Sequence, residues 1–185
     1  MPYIKTIEPD EAIGELKDIY DNLVQTRGKI AEIHKIQSLN PEALTAHMDL
    51  YMTVMFGKSP LKRYQREMMG VVVSATNHCS YCINHHAQAL LAYWKDVEKT
   101  NLLTNNRKEL SLSETDRLLC DLAEQLTLNN HSSYQNEVQT LRVNGLNDRA
   151  LLDAVQVIAY FNFVNRMVLG LGVTFSEEEI KGYKY

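Results

Sequence analysis

The sequence predicts an all-α protein. Strand-type alternation is nearly absent, apolar residues recur at helical spacing along most of the chain, and start and stop signals for helices punctuate it. The 185 residues are 45% hydrophobic, enough to close one substantial core in the manner of an ordinary globular protein. About seven helices with short connectors are expected.

The first helix follows Pro9 and carries Ile13, Leu16, Tyr20, Leu23 and Val24 until Gly28 stops it. Asn40 then places a capping side chain before Pro41, a residue suited to the first helical position. Leu44, Met48, Tyr51 and Met55 line one face of this second helix as far as Gly57. Ser59-Pro60 repeats the signal and opens a third, bearing Leu61, Tyr64, Met68, Val71 and Val72. Polar Thr76-Asn77-His78 interrupts the pattern. A fourth helix, capped by Thr76 or Asn77, continues through Ala87, Leu90, Leu91 and Trp94.

Residues 95–112 read as a polar connector that includes one short turn of helix, and as the place for a hinge or an oligomer contact. Ser113-Glu114-Thr115-Asp116 resembles a capping box ahead of Leu118, Leu119, Leu122 and Leu126. Another helix follows Ser132-Ser133 and ends at Asn144-Gly145. Asn147 caps a last, long one containing Leu151, Leu152, Val155, Ile158 and Phe161. No internal repeat or low-complexity segment stands out. The reading is one domain over 1–185: an N-terminal helical extension at 1–40, a core at 41–100 and C-terminal helices at 101–185.

With 23 acidic against 19 basic residues the net charge is −4. That balance argues against a nucleic-acid or acidic-lipid surface, which needs a concentrated basic patch. Lys58, Lys62, Arg63 and Arg66 do cluster, and read as a solvated helix face. The N-terminus has no apolar segment of the signal-peptide kind, and no apolar stretch approaches the roughly 18–20 residues that span a bilayer. The expectation is a cytoplasmic protein with no membrane partner. In a reducing compartment three cysteines do not suggest a structural disulfide framework, which turns attention to Cys79 and Cys82 as metal ligands or redox groups.

Those two open the stretch His78-Cys79-Ser80-Tyr81-Cys82-Ile83-Asn84-His85-His86. At about 100° per helical residue, positions 79, 82 and 86 lie within an arc of roughly 60°. Both sulfurs and the His86 ring are thus expected to face one small cavity. Free N–H groups and the positive end of the dipole at a helix start favour a thiolate, the form that attacks peroxides and disulfides. His86 is placed to move a proton, and His85, about 100° away, less so. Glu67, on the preceding helix, is a candidate to orient the imidazole.

Glu67, the eleven residues after it, and Cys79 through His86 together resemble the core motif of the AhpD-like alkylhydroperoxidases, within the carboxymuconolactone decarboxylase superfamily. The likeness is nearest the peroxidase-related branch. It extends from about Pro41 to Arg166, including Ala-Tyr-Phe-Asn-Phe-Val-Asn-Arg at 159–166. The resemblance implies a helical domain assembled as a trimer or hexamer, acting as a thiol peroxidase without cofactor. It implies Cys82 as the peroxidatic thiol, Cys79 as its resolving partner in a redox disulfide, and His86 with Glu67 as the proton relay. The reductant would be a dithiol such as a lipoyl or thioredoxin-like protein. Better-studied members carry a second relay histidine where this chain has Tyr81. A phenol, with an ordinary pKa of about 10, is a poor base, so Tyr81 joins His85 and His78 as auxiliary candidates only.

Three other readings compete. A lyase of the carboxymuconolactone decarboxylase kind would use Glu67 and His86 as acid and base. A zinc site would draw on Cys79, Cys82 and His86 with Glu67 or His78. A non-catalytic protein would use the pair as an oxidant sensor. Elsewhere, Cys120 reads as a core residue, His34, His47 and His131 as packing, and Met48, Met52, Met55, Met68 and Met69 as core filler. Asn162, Asn165 and Arg166 read as polar pairing between helices in preference to a substrate anion site.

Overall fold

The computed structural model describes residues 1–129, 131 and 133–175. Among them are nine α-helices and no strand, as the all-α reading requires. They are α1 (Gly14–Arg27), α2 (Glu32–Lys35), α3 (Pro41–Phe56), α4 (Arg63–Thr76), α5 (Ser80–Trp94), α6 (Val97–Asn105), α7 (Glu114–Leu128), α8 (Gln135–Val143) and α9 (Asp148–Leu171). The two beyond the expected seven are short. The stretch read as a polar connector folds into α6 because Asp96 Oδ1 accepts the Lys99 N–H at 2.9 Å and buried Thr100 and Leu103 give it an inner face. Residue 132, expected at the start of α8, lies outside the described residues.

Three anticipated caps form. Asn40 Oδ1 accepts from Ala43 N, Ser113 Oγ from Asp116 N and Asn147 Oδ1 from Ala150 N, at 3.1, 3.2 and 2.9 Å. Two starts differ from the reading. Helix α4 begins at Arg63, because Ser59 Oγ instead accepts Leu61 N inside the preceding turn, and Gln65 Oε1 accepts Lys62 N. Helix α5 takes Cys79 as its N-cap. Thr76 is occupied with the Val72 carbonyl and Asn77 with α9, while His78 makes the turn at φ +55°.

Helix α4 is the centre of the molecule, buried continuously from Gln65 to Ser74 and packed against α5, α7 and α9. Its approach to α9 depends on Gly70, where an added Cβ would sit 2.6 Å from the Phe161 ring. Arg66 and Arg63 do not form the solvated face expected of them; only Lys58 and Lys62 of that cluster are exposed. Buried Arg66 donates to the carbonyls of Val54, Met55, Gly57 and Leu61. It thereby satisfies acceptors that the end of α3 leaves over.

Helix α1 forms a second apolar cluster, Ala12, Leu16, Tyr20 and Leu23 against Leu44 of α3. Ile13, Val24, Met52, Leu152 and Val155, expected on inner faces, are exposed. One helix among the described residues, α9, is long and apolar enough to cross a membrane by length and composition, contrary to the expectation that none approaches this. Its inner residues, Val157, Ile158, Phe161, Val164 and Val168, are buried, and it packs on α4 and α7. Its apolarity is two-sided because Leu152, Val155 and Phe163 also line the outer face.

Candidate functional site

Glu67 and His86 meet as the motif predicts. Glu67 is 1% exposed, and its Oε2 lies 2.7 Å from His86 Nδ1. Its other oxygen is 2.5 Å from Nη1 of Arg63, one turn earlier on α4. Burial alone would raise the Glu67 pKa. His86 and Arg63 more than offset this, holding the carboxyl below its ordinary range. An ionised carboxylate only accepts hydrogen bonds, so His86 Nδ1 carries the hydrogen of this bond and Nε2 is the nitrogen left for other partners. The Phe161 ring packs edge-on against His86 at 4.4 Å between centroids.

Cys82 and His86 line one cavity of about 80 Å³. Cys79 is not on its wall. Helical spacing groups Cys79 with Cys82 and His86 only where Cys79 is helical; as N-cap (φ −89°, ψ 88°) it leaves the helical wheel. It sits fully buried behind Cys82, toward Val168 and Val173. Both cysteines are free thiols. The Cys82 S–H donates to the Cys79 sulfur and, against the opposing effect of burial, lowers the Cys79 pKa; the Cys82 N–H faces the same sulfur without closing a cap. Cys82 is correspondingly pushed well above its ordinary value, through that donation, burial and the Cys79 charge, with a hydrogen bond from Asn165 opposing them. Of the two sulfurs, Cys79 at the helix start is the one shifted toward the thiolate, and Cys82 facing the cavity is the one shifted toward the protonated thiol.

Tyr81 is buried and its Oη accepts the Ile33 N–H at 3.1 Å, tying the start of α2 to α5. Its ring stacks on His85 at 4.3 Å, and His85, expected to point away, lines the cavity too. His78 is exposed and outside it. His34 and His47, read as packing, are both on its wall. The zinc set is not assembled: among the described residues no three metal-binding side chains converge. Cys120 is buried in the main core, where burial pushes its thiol up to about 12. Asn77, Asn162 and Asn165 pair between α4 and α9, with Asn165 also on Ser74.

Several site residues escaped the sequence. Arg63 did carry a signal, its i,i+4 spacing to Glu67. Arg27, His47 and Tyr160 carried none, because they reach the cavity only through the tertiary fold.

Residues 41–101, which hold Glu67, both cysteines and His86, match the family model of the carboxymuconolactone decarboxylase family. That match, with the fold shared by the neighbours below, supports the AhpD-like/carboxymuconolactone decarboxylase superfamily. The chain is similar to the crystal structure of an uncharacterized peroxidase-related protein from Silicibacter sp. TM1040, at 27% identity and a TM-score of 0.83 over 97% of this chain and 92% of that one. An uncharacterized peroxidase-related protein with an AhpD core, from Ralstonia eutropha JMP134, is 21% identical with a TM-score of 0.86, over 97% and 94% of the two chains. The debrominase Bmp8 shares the fold at 15% identity and a TM-score of 0.77, over 95% and 96%. Among curated proteins none matches.

Proposed function

We propose that this member of an enzyme-containing superfamily is a thiol-dependent peroxidase that reduces organic hydroperoxides through Cys82 and Cys79. The observation that carries the reading is Cys82 opening on a cavity beside His86, whose Nδ1 rests 2.7 Å from Glu67. The Cys82 proton passes to His86 Nε2, and the thiolate attacks the outer peroxide oxygen. The O–O bond breaks, sulfur is oxidised to a sulfenic acid, and the alkoxide leaves as an alcohol with the proton from His86. Cys79 thiolate then displaces the hydroxyl, which departs as water with a solvent proton, and a disulfide forms. An external dithiol, such as a lipoyl or thioredoxin-like protein of the cytoplasm, reduces it by exchange. Exposed Leu152, Val155 and Phe163 on α9 support a homo-oligomer, the face where copies meet.

Peroxide consumption with lipoamide or thioredoxin as donor, followed by mass spectrometry of the 79–82 peptide, tests the cycle. Cys82→Ser is expected to abolish oxidation by peroxide. Cys79→Ser should oxidise once and form no internal disulfide. Full multiple turnover by Cys79→Ser, or a wild-type protein inert to hydroperoxides, overturns the assignment.

A further inference from the structure

Three side chains on one wall of the Cys82 cavity carry hydrogens that no described residue accepts. Tyr160, buried on α9, has its Oη 2.7 Å from His47 Nε2. Gln37 Nε2 donates to the Ile33 carbonyl and, with its second hydrogen, to His47 Nδ1, each at 2.7 Å. A carbonyl only accepts, so it fixes which end of the Gln37 amide faces the imidazole. His47 Nδ1 is thus an acceptor, and burial, which lowers the ring's pKa to about 4, keeps it neutral. The ring hydrogen therefore sits on Nε2 and is given to Tyr160 Oη. The Tyr160 hydroxyl hydrogen must point elsewhere.

Tyr51 repeats the arrangement. Its oxygen accepts from Arg27 Nη2 at 3.3 Å, and a guanidinium offers nothing in return. Arg27 is itself only 9% exposed. It lies over the rings of Phe56 and Tyr51, 4.9 and 5.3 Å from their centroids, and no carboxylate among the described residues pairs with it. Tyr51 and Tyr160 stand 5.8 Å apart between centroids. The wall therefore holds a cation and two hydroxyls, all with hydrogens to give. A buried cation without a counter-charge is costly, and an anion in the cavity removes that cost.

We propose that Arg27, Tyr51 and Tyr160 form a carboxylate site, so that the substrate of this cavity is a small organic acid with an apolar body. This deepens the peroxidase reading, on which it rests for the reacting group: the hydroperoxide is one that also bears a carboxylate. The carboxylate takes the guanidinium and phenol hydrogens while the body fills the space toward Cys82.

Calorimetric titration of the full-length reduced protein with benzoate, and with benzamide as its neutral analogue, tests the site directly. Benzoate is expected to bind at least about 10-fold tighter and to slow alkylation of Cys82 by iodoacetamide. Arg27→Met should weaken benzoate at least about 30-fold, as loss of a buried charge partner does, and leave benzamide within about twofold. Tyr160→Phe, which keeps the ring and its packing, should weaken benzoate about 10-fold, and Arg27→Lys should keep the preference for the anion. Equal binding of the two probes, binding of neither, or benzoate affinity unmoved in both Arg27→Met and Tyr160→Phe overturns the proposal. Benzoate binding in a protein inert to every hydroperoxide would leave the site standing and remove the peroxidase reading alone.

Discussion

His86 and His47 line the same cavity, yet one has a carboxylate behind its ring and the other an amide. At His86 the Nδ1 partner is Glu67, ionised and balanced by Arg63. A proton gained at Nε2 would therefore meet a compensating negative charge across the ring, at the carboxylate hydrogen-bonded to Nδ1. At His47 the Nδ1 partner is an N–H of Gln37 and the ring is buried, so a second proton has neither room nor charge to hold it. The first ring has a carboxylate to balance an added charge; the second can only pass on a direction to Tyr160. Position in the cavity does not separate these roles. The group at Nδ1 does.

The comparison is broken most forcefully at Glu67. Glu67→Gln leaves Arg63 facing a neutral amide in a buried setting, and removing one partner of such a pair costs about 3–5 kcal/mol. Urea denaturation should register that loss, together with a collapse of peroxide reactivity. A variant as stable as the parent would mean that the carboxylate is not the centre of the charged relay.

The neutral relay predicts an effect of pH. His47 has its folded-state pKa lowered to about 4 from 6.5, so between those values the unfolded chain binds more protons. Stability is then full above pH 6.5 and falls as the pH drops toward 4, by about 3 kcal/mol at 1.36 kcal/mol per unit. Glu67, whose folded pKa is also depressed, acts in the same direction at lower pH, its contribution being lost as pH falls through that folded value. Denaturant titrations from pH 7 to 4.5 should show the slope, and His47→Gln should remove the His47 share. An unchanged slope in that variant would mean that the imidazole is not held neutral.

The smallest effect sharpens where Tyr81 belongs. Its hydroxyl accepts the Ile33 N–H, a positioning bond on the side of the neutral relay. Tyr81→Phe should cost about 1–2 kcal/mol for the orphaned N–H and leave the rate of peroxide reduction within about threefold. A far larger loss of rate would place the phenol in the proton path.

How much of this was legible follows from distance along the chain. Glu67, Cys82 and His86 were readable because one helix and the start of the next carry them, and helical spacing fixes which side they share. Arg63 was readable on the same ground as a partner of Glu67 but not as a buried one, since spacing does not tell whether a face meets Phe56 or water. Cys79 went wrong at the helix boundary: the argument from 100° per residue fails one position before the first turn. Tyr160 and His47, 113 positions apart, and Arg27 on α1 have no local pattern that joins them. Their meeting is decided by how α1, α3 and α9 pack. The additional helices α2 and α6 were missed for a related reason, being too short or too polar to show a period.

The contact at Gly70 has a consequence for the charged relay. Phe161 lies on the backbone of α4 at that point with no side chain between, and its other edge presses on His86. A backstop made of main chain has no rotamer to change. The imidazole is thus clamped between a carboxylate it is bonded to and a ring that cannot retreat, and its orientation is set by the stiffest part of the molecule.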